Sequence, residues 1–412
     1  MNACLPFFFG VDQSFDSACL DDPGKAVADG FRALFPSGAS LKNNGSVAVC
    51  VGSRGIASLP KLVRATLDAL QALSLEPFIV PAMGSHGGAT PEGQIRILRD
   101  LGVTEASMGV EVISSLAVTD IKKIPDGPTA RFSSDALAAD YVVPVCRVKE
   151  HTVLTGDIQS GLCKMIVIGC AKDTGALEYH RHDITRVLLP SAEAVIQVVP
   201  FLCGVAVVEN AYDRICELRV VKPEDFVSTD RELLVLAKKK LARLPFLILD
   251  ALILDEIGKN ISGSGADLNV IGKWRRDGGP RVPDYQVHAA LDLTDASHGN
   301  ATGIGFMDII SERLLRKIDV KATFVNSLTS GYFRSCRIPM YMEDDKAVLE
   351  TILNSLPDRN NAAMARIINT LKLERFWATA KALESLPGGN FKIDRKGQKP
   401  CFDKEGRLLP FL

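Results

Sequence analysis

Paired cysteines are missing from this chain of 412 residues: its ten cysteines are scattered singly and no C-x-x-C occurs. That argues against a zinc knuckle, an iron–sulfur motif or a thioredoxin-type site, and it fits a reducing cytosol. Also absent is any uninterrupted apolar run of the roughly 18 residues that a membrane span requires. The apolar start Met1-Asn-Ala-Cys-Leu-Pro-Phe-Phe-Phe9 is short, has no basic flank and runs into Asp12, Asp16, Asp21 and Asp22, so it does not read as a signal peptide. An excess of one charge is lacking too. Forty-eight Lys and Arg against 49 Asp and Glu leave a formal charge of -1, so no global field points toward nucleic acid or an anionic membrane. Neither the G-K-[ST] of a P-loop nor the dinucleotide G-x-G-x-x-G is found, which disfavours ATP and NAD enzymes of those types. There is no internal repeat and no low-complexity tract.

What is present is a chain with 47% hydrophobic and 24% charged residues, long enough for two domains. Short valine- and isoleucine-rich runs alternate with segments of helical period, the pattern of an α/β protein with mostly parallel, buried strands. Strands are expected at 47–51, 77–81, 141–146, 165–169, 204–208, 247–254 and 287–291. Helices are expected at 59–75, with Pro60 in the first turn, and at 91–101, 224–244 and 362–373. The tail 391–412, with Asp403-Lys-Glu-Gly406 as turn chemistry, reads as a closing hairpin. A change of order near Leu244-Pro245 divides the chain into an N-terminal domain, 1–245, and a C-terminal α/β domain, 246–412.

The chemistry-bearing residues are few. Of six histidines, His86, His151, His180 and His182 fall in glycine-rich or polar segments. His86 sits in Gly84-Ser-His-Gly-Gly88 after an expected strand and before an expected helix, where open α/β sheets bind ligands; the alternative is an exposed turn residue. Arg54 lies in Val49-Cys-Val-Gly-Ser-Arg-Gly-Ile56, placed to take a carboxylate bidentately. Lys164 follows the polar stretch Lys149-Glu-His151 to Ser160-Gly-Leu-Cys and begins the apolar run Met165-Ile-Val-Ile-Gly169. At a strand end it is either a cleft lysine with a lowered pKa or one whose stem snorkels to solvent. Sixteen residues on, Ala176-Leu-Glu-Tyr-His-Arg-His-Asp183 carries His180 and His182, which share a face if extended and diverge if helical. In the second half, Asp255 to Lys273 is a loop of glycine, serine and asparagine around Lys259 that suits phosphate or carboxylate binding through backbone N–H groups.

Taken in order, the Gly-Ser-Arg loop at 52–54, the Gly-Ser-His-Gly-Gly loop at 84–88, the Lys-Glu-His to Ser-Gly-Leu-Cys-Lys stretch at 149–164, His180 and Gly-Lys-Asn-Ile-Ser-Gly at 258–263 resemble the nickel-pincer lactate racemase family. The resemblance spans most of the chain. It implies two α/β domains with an interdomain active-site cleft, and a 2-hydroxy acid as substrate of a racemase or epimerase. It also implies a pyridinium mononucleotide bearing a thioamide and a thiocarboxylate, tethered to a lysine matched here by Lys164. Nickel would take two sulfurs and a ring carbon of that pincer plus one imidazole, matched by His180, a square plane suited to divalent nickel. His86 and His151 match the alternating acid and base that serve the hydroxyl while hydride leaves Cα and returns to either face. Arg54 matches a substrate-carboxylate arginine and Lys259 a second cationic contact; transient partners would be the cofactor maturation proteins. Two other readings compete: a nickel-free lyase or hydrolase built on Lys164, and a relative that binds the cofactor without turnover. The presence of both candidate acid/base histidines argues against the second.

Overall fold

A computed structural model describes residues 5–36, 41–53 and 55–411. The chain falls into two compact units, one of Asp16–Leu241 and one of Met1–Phe15 with Ala242–Leu412. The division expected at 245 therefore meets a unit boundary at Leu241, while the first strand, β1 (Phe8–Gln13), belongs to the second unit instead of the first.

Within Asp16–Leu241 the core is a five-stranded sheet. Its strands are β2 (Ser46–Val51), β3 (Glu76–Pro81), β6 (Tyr141–Arg147), β7 (Gly204–Glu209) and β8 (Ile215–Val221), in the order β3-β2-β6-β7-β8. All pairings are parallel except β7 with β8. A separate hairpin is formed by β4 (Val118–Lys123) and β5 (Thr129–Ser133). The apolar character of β2 follows from its place inside the sheet, between β3 and β6, with both faces covered. Val47, Val49 and Val51 pack with Leu62, Val63, Leu67 and Leu70 of the helix Leu59–Ala72. Ala48 and Cys50 face the other way, into a core with Ile166, Val167, Leu188 and Phe226. Alternation along one strand thus separates two cores.

The second unit is an eight-stranded sheet. Its strands are β1, β9 (Ile248–Leu254), β10 (Asp284–Ala290), β11 (Ile309–Ser311), β12 (Met340–Met342), β13 (Met364–Ile367), β14 (Arg375–Thr379) and β15 (Phe391–Ile393). The order is β12-β11-β10-β9-β13-β14-β1-β15, parallel from β12 to β13 and antiparallel from there on. The fold is therefore mixed α/β with mostly parallel sheets, as the alternation of runs predicts. No helix among the described residues is long and apolar enough to cross a membrane.

Three local expectations fail, for physical reasons. The helix expected at 362–373 is absent, and Met364–Ile367 within it is the central strand β13, fully buried between β9 and β14; so short a buried run carries no period that separates the two. Conversely, the strand expected at 165–169 is a turn of π-helix continuing the helix Leu162–Lys164. Met165, Ile166 and Val167 are buried in it, so its composition imitates an inner strand. The tail does turn at 403–406, where Asp403 Oδ1 accepts from the N–H groups of Glu405 and Arg407 at 2.8 and 2.9 Å. Its strand β15, however, pairs with β1.

His288, on β10, is wholly buried between the rings of Tyr285 and Trp274, with no hydrogen-bond partner at either ring nitrogen among the described residues. Burial, helped by the guanidinium groups of Arg275 and Arg281, holds its pKa well below 6.5. A depressed folded-state pKa gives stability that is complete above the unfolded value and is lost as pH falls. Wild type should therefore lose up to about 1.4 kcal/mol per pH unit below about pH 6.5 relative to His288→Phe. Urea unfolding of both proteins from pH 8 to pH 5 measures the difference, and parallel curves would refute it.

Candidate functional site

The loops that leave the C-terminal ends of β2, β3, β6 and β7 carry the residues of interest, the edge at which open parallel sheets bind ligands. After β2, Ser53 Oγ meets His86 Nδ1 from the loop after β3, in a short hydrogen bond. His86 is exposed and stands just before a tight turn, Gly87–Ala89. Gly87 has φ +71°, and a Cβ there would lie 2.5 Å from the backbone of Gly93, so the turn admits only glycine. Thr90 then caps the helix Pro91–Asp100 by accepting from Gly93 N–H at 3.1 Å. From that helix the buried Gln94 reaches back, its Nε2 donating to the Gly84 carbonyl at 2.9 Å. Glu209 at the end of β7 joins two of the loops: its carboxylate takes the Ala57 N–H and pairs with Arg147 at the end of β6.

Lys164 is half-buried at the end of the helix Leu162–Lys164, not at a strand terminus. What makes this segment helical is remote in sequence. Asp230, on the helix Phe226–Lys240, is completely buried and its two carboxylate oxygens accept from the N–H groups of Leu162 and Cys163 at 2.9 and 2.8 Å. They satisfy donors that a helix start leaves orphaned. Gly161, with φ +104°, stands where a Cβ would fall 2.2 Å from that carboxylate. Burial pushes the Asp230 carboxyl up to about 7, outweighing the pull of the two N–H groups.

The same segment holds the His86 loop. Gly169 accepts from Gly84 N–H at 3.0 Å, and a Cβ on Gly169 would sit 2.7 Å from the Ala82 carbonyl. Lys172 is fully buried with φ +55° and donates from Nζ to the Pro81 carbonyl at 2.7 Å. Burial lowers its pKa, against the opposing influence of the thiols of Cys170 and Cys50. It opens the helix Lys172–Tyr179, which packs on Met165–Gly169 and is tied to β5 through Glu178, bonded to Thr129 N–H at 2.9 Å and paired with Arg131. His180 closes this helix and is exposed; its N–H donates to the Ala176 carbonyl at 3.1 Å. His182 follows in the same turn, its N–H on the Tyr179 carbonyl, and is half-buried. The pair is turned, not extended, so it does not present one face.

His151 lies in a loop that closes on itself. Lys149 N–H donates to Ser160 Oγ at 2.7 Å and His151 N–H to Gln159 Oε1 at 2.9 Å. Nδ1 of His151 accepts from two backbone N–H groups, those of Val153 at 3.1 Å and Leu154 at 3.0 Å. Arg54 lies outside the described residues. Lys259 belongs to the other unit, where its Nζ donates to the Gly263 carbonyl of its own loop at 2.8 Å and its N–H to Ser297 Oγ at 2.8 Å.

The structure thus joins the loops of Ser53, His86 and the Lys164–His180 segment through direct contacts, with His151 on the loop after β6. Among the described residues no three His, Cys, Asp or Glu side chains converge to hold a metal. A groove of about 910 Å³ lies between the helices Pro23–Leu34 and Leu59–Ala72, and none of the candidate residues lines it. Ser53, Asp230 and Lys172 escaped the sequence reading. Ser53 stood in a motif read for its arginine, whereas Asp230 and Lys172 sat inside segments with no motif at all.

The family profile described as Domain of unknown function (DUF362) matches residues 51–272, more than half of the chain, and the chain belongs to that family. No curated protein matches it in sequence. Among solved structures it is similar to the lactate racemase apoprotein from Thermoanaerobacterium thermosaccharolyticum, with a TM-score of 0.53 and 12% identity over 89% of this chain and 99% of that one. At that identity the likeness is one of fold.

Asp230 generates a prediction of opposite sign to that of His288. Its folded pKa lies above the ordinary 3.8, so its contribution is complete below that value and is lost as pH rises through about 7. Between pH 4 and pH 8 wild type should lose on the order of 3–4 kcal/mol relative to Asp230→Asn. Asp230→Ala, which strands two N–H groups, should cost about 2–5 kcal/mol and speed hydrogen exchange at Leu162 and Cys163. Unchanged exchange there would show that the carboxylate does not hold the turn.

Proposed function

We propose that this chain is an isomerase, a racemase or epimerase of a 2-hydroxy acid, that works with a nickel-pincer nucleotide attached to Lys164. The observation that carries the reading is the joining of the His86 loop to the helical segment running from Lys164 to His180, at the ligand-binding edge of a parallel sheet. A pincer nucleotide asks a protein for one amine and one imidazole. A half-buried lysine and an exposed histidine at the two ends of one packed segment fit that donor set. The similarity of fold to a lactate racemase apoprotein supports the same reading.

When bound, the group supplies a reversible acceptor for hydride from the substrate Cα. The chain's own residues do the rest. His86 removes the hydroxyl proton, so that the O–H electron pair closes the carbonyl as Cα gives up hydride, and proton return completes the exchange. His151 serves the same oxygen from its own loop, and Arg54 pairs with the substrate carboxylate. His180 ligates nickel. The glycine turn at Gly87, packed against the backbone of Gly93, fixes the course of the loop that carries His86.

Intact mass and metal analysis of the chain produced together with the cofactor-building enzymes test this reading. A Lys164 adduct and about one nickel per chain are expected, with His180→Ala losing nickel and His182→Ala keeping it. His86→Ala and His151→Ala should retain the adduct but lose stereoinversion. An unmodified, metal-free chain from that system would overturn the assignment, and a loaded chain inert toward 2-hydroxy acids would make it a cofactor-binding relative.

A further inference from the structure

The helix Val320–Ser330 of the C-terminal unit has its polar side chains turned inward and its apolar ones outward. Thr323 and Ser327, one turn apart, are buried. Thr323 Oγ1 accepts from Ala301 N–H at 3.0 Å, and Ser327 Oγ meets Ser335 Oγ at 2.8 Å. Between them Asn326 Oδ1 accepts from Asn300 Nδ2 at 2.9 Å. Asp319 caps the start, its Oδ1 accepting from Ala322 N–H at 3.0 Å. Hydrogen bonds to loop 299–302 and to Ser335 thus fasten this helix to its unit, whereas an ordinary surface helix buries its apolar stripe. Val320, Phe324 and Leu328 follow one another at intervals of four with Val325 beside them, and each is between 43% and 67% exposed. The apolar surface runs on along the chain. Phe333, in the turn Phe333–Cys336 that packs against this helix, is exposed, and so are Ile338, Met340 and Tyr341. The last two lie on β12, the edge strand of the sheet. At about 200 Å² for each large side chain in full, the half-exposed set presents on the order of 800 Å². The largest apolar patch of a monomer is usually about 300–600 Å², and one side of a standard protein interface is about 800 Å².

We propose that stretch 320–341 is the interface of a homodimer, in which the outer face of the helix Val320–Ser330 and the edge strand β12 meet a second copy across a twofold axis. A second copy is the occupant that the surface fits. A twofold axis presents one patch to itself, so apolar area is covered by apolar area on both sides. The flanking charges complement one another in the same way. Arg337 precedes β12 and Glu343 follows it, and both are exposed. An antiparallel approach of β12 to its copy, centred on Tyr341, brings Arg337 of each chain towards the partner's Glu343. A membrane surface would ask for a basic rim, and here Asp319 and Glu343 stand beside Lys321 and Arg337. The inference is independent of the racemase or epimerase reading.

Analytical ultracentrifugation of the full chain tests this. Twice the 44.5 kDa mass of the chain is expected at micromolar concentration. Leu328→Glu, present twice in a twofold interface, should raise the dissociation constant at least about 100-fold. Leu247→Glu, at an apolar side chain exposed outside the stretch, should leave the dimer intact. In wild type, amide hydrogen exchange within 320–341 should slow as the concentration rises through the dissociation constant, a readout that needs no variant. A chain that stays monomeric at every concentration, whether or not it binds phosphatidylglycerol vesicles, overturns the proposal. So does a dimer that Leu328→Glu leaves unchanged, or one whose protected segment lies elsewhere.

Discussion

The carboxylate of Asp230, buried against the N–H groups of Leu162 and Cys163, is the constraint from which the candidate site is built. An isolated three-residue helix cannot pay the entropy of its own nucleation. Capped by a side chain from a long, well-packed helix, it forms, and the apolar residues after it continue as a π-turn. From there the consequences are local. Gly169 takes the N–H of Gly84, Lys172 reaches the carbonyl of Pro81, and the loop that ends in His86 is held from beneath. The half-buried position of Lys164 and the exposed position of His180 are the two ends of this one arrangement.

The cost is borne in buried ionisable groups. Asp230 is raised to about 7 by burial, Lys172 is lowered by it, and His288 in the other unit is held neutral. The first two lie at the site and each makes hydrogen bonds that define a loop. His288 makes none at its ring among the described residues and is surrounded by aromatic packing. A lysine and an aspartate that a protein core would ordinarily reject are tolerated here because each supplies a bond that the backbone alone could not make.

Sheet architecture fixes where such a site can lie. The strand β2 is buried on both faces, so its only exposed outlets are its ends. Loops after β2, β3, β6 and β7 meet at the C-terminal edge, and Glu209 stitches two of them with Ala57 and Arg147. Chemistry placed on those loops rests on a rigid floor while its own residues remain open to a ligand.

Much of this was legible from the order of residues. The valine-rich runs at 47–51, 77–81, 141–146 and 204–208 are strands, and 59–75 and 91–101 give the helices, because period and turn chemistry act over a few neighbours. Gly87, His86 and Lys164 stood out for the same reason. Where burial is complete the period vanishes, and 165–169 and 362–373 exchanged strand and helix. Beyond the reach of sequence were the partners: Asp230 under Leu162, Ser53 against His86, Lys172 beneath Pro81, and β1 closing the sheet of the distant C-terminal unit. Each joins residues separated by tens to hundreds of positions. Local pattern determined which residue types this chain brings to a site; tertiary packing alone decided their hydrogen-bond partners, because those partners come from segments far apart in the sequence.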